Sequence, residues 1–140
     1  MNSIDLATKL YDADFSADAV DILDSEYMIP ARDYILKDFA GALAALKHQL
    51  GVSRYVKNSN DCDKSSRLAA WYFSHLHFLT SGNTQSGVAF GTMQYLATGL
   101  GWHMINIAVT DKGILYFEPQ DCTERKLTQT EIFSCKRVSI

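Results

Sequence analysis

Cys62, His103 and Glu118 stand in this order along the chain, each in surroundings that could bring it to a common point. Cys62 lies in Asn58-Ser-Asn-Asp-Cys-Asp-Lys64, where a polar stretch gives way to the apolar run from Leu68 to Leu79. With Asn60 as a helix N-cap and Asp63 completing a capping box, Cys62 falls in the first helical turn. Unpaired backbone N–H groups and the positive end of the helix dipole there favour a thiolate, the nucleophilic form of cysteine. Asp61 and Asp63 oppose this, because a neighbouring carboxylate disfavours a second negative charge, so a cationic partner is required. His103 opens one apolar alternation and Glu118 closes the next. If the two segments pair as a hairpin around Thr110-Asp-Lys-Gly113, both side chains reach the same end of a sheet. Such a set performs nucleophilic chemistry. The thiolate attacks a carbonyl, the imidazolium steadies it and later protonates the leaving group, and the carboxylate orients the ring.

Each residue also has a plainer reading. Cysteine is commonly a small buried hydrophobe, and Cys122 and Cys135, which lack a helix start or a nearby histidine, are read that way. The odd number of cysteines fits reduced thiols, with a Cys122–Cys135 bridge open in an oxidising compartment. His75 and His77 could join Cys62 or Cys122 on zinc, but residues two apart on a helix face away from each other, so no metal site is expected there. Asp61 and Asp63 lie in no EF-hand-like loop.

These residues must be positioned by helices first and strands afterwards. Residues 3–11 predict a short helix with Ser3 as cap. Val20, Leu23 and Tyr27 recur at helical spacing after Ser16 and predict a second, with Asp18, Asp21 and Asp24 on a solvated face. Met28-Ile-Pro30 ends it. The clearest helix runs from Ala31 to Leu50, carrying the stripe Ile35, Phe39, Leu43, Leu46 and Leu50 and stopping at Gly51. The helix from Asp61 to about Leu79 is apolar almost all round and belongs in the middle of a domain. Beyond the turn cluster Thr80–Gly87, strands are predicted over residues 88–97, 102–109, 114–118 and 133–140. This is the α+β pattern with an antiparallel sheet. One domain over residues 1–140 is expected, helical through residue 57 and made of the cysteine helix and sheet from residue 58.

Composition limits the partners. The 140 residues are 47% hydrophobic and 21% charged, as in ordinary globular chains. A net charge of −3 with scattered Lys and Arg gives no surface for nucleic acid. No apolar stretch is long enough for a membrane span, and the N-terminal residues form no signal peptide, so a cytoplasmic location is expected.

Asn60-Asp-Cys-Asp-Lys64, Gly101-Trp-His-Met-Ile-Asn106 and Tyr116-Phe-Glu-Pro-Gln120, in that order, resemble a papain-like cysteine peptidase group. That group includes the C-terminal domain of the Marasmius oreades agglutinin and small phage and bacterial proteins. The resemblance covers about residues 58 to 120 and implies a papain-like core. It also implies Cys62 as nucleophile, His103 as base and Glu118 as orienting acid, with Asn106 and Gln120 as site support. Papain-like enzymes usually place a glutamine before the cysteine. Here Asn58 and Asn60 are the nearest amides, so the expected oxyanion hole is the Cys62 N–H with one of them. No cofactor is expected beyond the calcium that the fungal resemblance implies. The expectation is a cysteine-dependent amide hydrolase, a peptidase acting on a peptide or protein through a thioester, from a phage or bacterial setting. The alternatives are a non-catalytic binding or structural protein retaining the fold, and a transglutaminase or deamidase.

Overall fold

Leu6 and Leu10, one helical turn apart, are both fully buried and fix the inner face of helix α1, Ser3–Tyr11. The cap is Asn2 rather than Ser3: its side chain accepts from the Asp5 N–H at 2.8 Å. These and the following coordinates come from a computed structural model that describes residues 1–57, 61–82 and 85–140.

The second expected helix is not formed. After a single 3-10 turn, Ala17–Ala19, the chain runs extended through β1, Val20–Asp21, and β2, Tyr27–Met28. The reason is tertiary. The Tyr27 hydroxyl accepts from the N–H groups of Leu23 and Asp24 and donates to the carbonyl of Ile140, which holds residues 23–27 as a turn. Leu23, which a helix would have buried, is 73% exposed. The part up to residue 57 is therefore not purely helical, and both of its short strands pair with segments beyond residue 58.

Residues 32–49 are helical as expected, but in three pieces: α2, Arg32–Tyr34; a π-helical turn, Ile35–Phe39; and α3, Ala40–Gln49. Ile35, Phe39 and Leu43 are buried, whereas Leu50 lies outside the core and Lys47 lies inside it. Gly51, at φ +69, ends the helix in the left-handed conformation that glycine adopts without strain.

Helix α4, Cys62–Ser81, corrects another expectation. It buries one narrow face, Ser65, Ser66, Ala69 and Phe73, while Trp71, Phe78 and Leu79 are exposed. It is thus a helix laid on a sheet rather than one surrounded on all sides.

The sheet has the order β1, β8 (Arg137–Ser139), β4 (Phe90–Ala97), β5 (Gly101–Thr110), β6 (Gly113–Glu118), β7 (Thr123–Arg125). Strands β4, Phe90–Ala97, β5, Gly101–Thr110, and β6, Gly113–Glu118, form its antiparallel centre. The β5–β6 turn is the expected one, with Thr110 paired to Gly113. Strand β7, Thr123–Arg125, was not anticipated. The expected strand over residues 133–140 is reduced to β8, Arg137–Ser139, because helix α5, Gln129–Phe133, takes the preceding segment. Strand β3, Gly87–Val88, pairs with β2 in a separate two-stranded ribbon. The architecture is α+β with a mostly antiparallel sheet.

Side chains alternate across the sheet and divide the core. Met93, Ile105, Ile107 and Val138 pack with Leu6 and Leu10 of α1 on one face. Phe90, Ala108, Leu115 and Phe117 pack with Ile35, Phe39 and Phe73 on the other. Phe39 is the centre of that second core, with ring centroids 4.6 Å from Phe73, 5.3 Å from Phe90 and 5.9 Å from Phe117. Burying each such ring contributes about 1.5–3 kcal/mol. Among the described residues no helix is long and apolar enough to cross a membrane.

Candidate functional site

Cys62 is the first residue of α4, and Asp61 holds the N-cap position with extended backbone and no side-chain cap bond. Asn58 and Asn60, the expected amide donors and cap, lie outside the described residues. The two carboxylates flanking Cys62 have cationic neighbours that the sequence reading did not assign. Lys64 Nζ lies 3.1 Å from Asp61 and 3.3 Å from Asp63, and Arg67 approaches Asp63 at 3.9 Å. The Asp61 contact is the main cause that holds the Lys64 ammonium above its ordinary value. These neighbours sit at the helical spacings of three and four residues, which was the available signal.

The first turns of α4 are bound to the sheet by two buried polar residues. The Ser66 hydroxyl lies 2.7 Å from the Cys62 carbonyl and 2.9 Å from that of Met104. Asn106 donates its two amide protons to the carbonyls of Ser66 and Gly91, each at 2.9 Å. Asn106 therefore joins α4, β4 and β5, and it does so on the α4 face of the sheet.

His103 and Glu118 meet. The imidazole Nε2–H donates to Glu118 Oε2 at 2.7 Å. Glu118 is nearly fully buried, with Arg125 Nε 3.6 Å from the same oxygen and the Gln120 N–H donating to Oε1 at 3.1 Å. A buried carboxylate needs such partners, since removing it from water without them costs several kcal/mol. The edge of Tyr95 packs against His103 with ring centroids 5.9 Å apart. Burial, reinforced by Glu131, Glu118 and Cys62, pushes the Tyr95 phenol up to about 12. Cys62, His103 and Glu118 thus share one end of the sheet.

The turn after Glu118 is held from beneath. Lys47, buried in the helical layer, donates from Nζ to the carbonyls of Pro119 at 2.6 Å and Gln120 at 3.0 Å. Among the described residues, Gln120 Nε2 is enclosed with no hydrogen-bond partner. Lys47 is not singled out by the sequence; its place among apolar positions of the 32–49 helix is the one clue.

Cys122 and Cys135 are partly buried free thiols, and burial pushes both up, Cys135 to about 11. Among the described residues no group of three or more His, Cys, Asp or Glu side chains is arranged to hold a metal ion.

Comparison with known proteins adds the fold's relations. No protein-family model matches the chain, and neither does any curated protein. Solved structures do. A complex of PSL1a with E64 superposes with a TM-score of 0.75 at 16% identity, over 99% of this chain and 48% of the other. Polyporus squamosus lectin bound to the human-type influenza-binding epitope Neu5Acα2-6Galβ1-4GlcNAc superposes with a TM-score of 0.69 at 17% identity, again over 99% and 48%. The chain therefore spans about half the length of these neighbours.

These findings correct the function expected from sequence. One neighbour is named as a lectin, a sugar-binding protein, and neither is named as an amide hydrolase, so the cysteine-dependent amide hydrolase expected from sequence is not upheld. The hydrolase and cysteine-protease assignment, and the peptide or protein substrate that went with it, are withdrawn.

Proposed function

We propose that this chain is a non-catalytic binding domain whose ligand is a glycan. It would retain a papain-like arrangement in which a cysteine-bearing helix lies on an antiparallel sheet. The observation that carries the proposal is the superposition of 99% of the chain on a lectin solved with a sialylated trisaccharide. In this reading Cys62, His103, Glu118, Asn106 and Gln120 serve the rigidity of the domain, and no bond is broken. The His103–Glu118–Arg125 group, in which Glu118 is the buried member, fixes the end of the sheet and so keeps the domain rigid, which lowers the ordering cost of binding.

A glycan array followed by isothermal titration of the best binder tests the proposal. Saturable binding, with the glycan recovered unchanged by mass spectrometry, is the expected result. Running the titration with calcium chloride and again with EDTA tests the calcium that the fungal resemblance implied. A chain that binds no glycan on the array, or that returns a cleaved one, overturns the proposal.

A further inference from the structure

A groove of about 430 Å³ lies between the outer side of α4 and the β3–β4 segment, away from the His103–Glu118 pair. Arg67, Trp71, Ser74 and His77 line it from α4, and Asp24 faces them from the turn between β1 and β2. Its size falls within the range of about 300–1,000 Å³ common to small-ligand pockets.

Four features give this groove a definite chemistry. Trp71 lies parallel to His75, with centroids 5.1 Å apart and 8° between planes, yet 60% of its surface is exposed. The indole is therefore held in place while remaining available to a ligand. Among the described residues, His77 Nε2 is enclosed without a hydrogen-bond partner, a costly state for a polar atom unless something else supplies one. The Asp24 carboxylate sits directly over Gly87, where an added Cβ would lie 2.2 Å from Oδ2. Arg67 is largely exposed, and its ion pair with Asp63 is long at 3.9 Å.

A flat indole, a carboxylate that accepts hydrogen bonds, a guanidinium that donates them and an unpartnered imidazole nitrogen suit a pyranose sugar. Such a ring offers an apolar C–H face for stacking and a rim of hydroxyls that both donate and accept. A lipid tail would leave the polar groups unpaired, and a free phosphate would meet the Asp24 charge. We propose that this groove is a saccharide site that seats one pyranose unit, with Trp71 as stacking platform and Asp24 as hydroxyl acceptor. The proposal rests on the glycan-binding reading above and gives it a location.

The test uses the full chain in a Trp102→Phe background, so that Trp71 is the sole indole emitter, with the trisaccharide Neu5Acα2-6Galβ1-4GlcNAc as probe. Saturable change in Trp71 emission is expected, with amide chemical-shift changes centred on residues 67–77 and Asp24. Trp71→Ala and Asp24→Asn, both surface changes that leave the unfolding midpoint in place, should each weaken binding at least tenfold. If the trisaccharide binds with undiminished affinity in both variants and the shifts centre on residues 101–104 and 118–120, the groove assignment fails while glycan binding stands. If neither the trisaccharide nor any arrayed glycan binds the wild-type chain, the glycan reading itself fails, and the groove assignment with it.

Discussion

Glu118 shows how a single side chain can depend on the whole end of a sheet. Its carboxylate is taken out of water and repaid by the His103 imidazole, the Arg125 guanidinium and the Gln120 N–H. Glu118→Gln keeps the shape but removes the charge that the Arg125 guanidinium and the His103 N–H address. Loss of about 1–3 kcal/mol in urea unfolding is expected, the usual cost of leaving buried charged groups imperfectly satisfied. Ionisation at high pH is a second residue-level property. Burial pushes the phenols of Tyr95 and Tyr116 up from 10.0 to about 12 and the Cys135 thiol up from 9.0 to about 11. The unfolded chain releases these protons first, so between about pH 9 and 12 it binds fewer protons than the folded chain, and stability falls as pH rises through that window. Unfolding midpoints measured across that range should show the decline, and Cys135→Ala should make its first part, from about pH 9, shallower without abolishing it, because burial raises the Cys122 thiol as well. The meeting of His103 and Glu118 was legible because a hairpin turn fixed the register between them. The partnership of Asp61 with Lys64 and of Asp63 with Arg67 is equally present in the spacing, at three and four residues along the helix.

Elements were legible where their pattern was local. Strands β4, β5 and β6 follow from alternation and from Thr110-Asp-Lys-Gly113, and the 32–49 helix from its stripe. Strands β1 and β2 were not, because a Tyr27 hydroxyl bound to a carbonyl distant in sequence overrides a helical spacing of apolar residues. Helix α5 was missed although Thr128-Gln-Thr-Glu131 spells a capping box, which the structure forms in full. Thr128→Ala should cost about 1 kcal/mol in chemical unfolding. A more severe effect is expected at Gly91, where an added Cβ would lie 1.9 Å from the Ser139 carbonyl oxygen, a backbone atom. Gly91→Ala must push β8 from β4, and a loss of about 3 kcal/mol or more is expected in the same measurement, with weakened amide protection along Arg137–Ser139.

At the scale of the molecule, one sheet divides two cores, and no boundary between residues 57 and 58 separates them. β1 joins the sheet through β8, and β2 pairs with β3, so the early chain and the late chain are parts of one structure. Thermal unfolding followed by far-UV circular dichroism and by tryptophan fluorescence should therefore give a single coincident transition, and two separated transitions would contradict this arrangement. The α+β class was readable because helices precede strands in the chain. How α4 lies on the sheet was not, since its exposed Trp71, Phe78 and Leu79 make the sequence look buried all round.

The Tyr27–Ile140 hydrogen bond joins residues 113 positions apart, beside a parallel pairing of Val20 with Val138. Its consequence is kinetic. Closing so long a loop removes chain entropy before the contact repays it, so this corner of the sheet forms late. A nascent chain halted before residue 137 would carry β1 and the outer edge of β4 unpaired, open to the strand additions that unprotected edges invite. Completion of the sheet thus waits on the last strand, and refolding should run on the millisecond-to-second timescale of proteins rich in distant pairings.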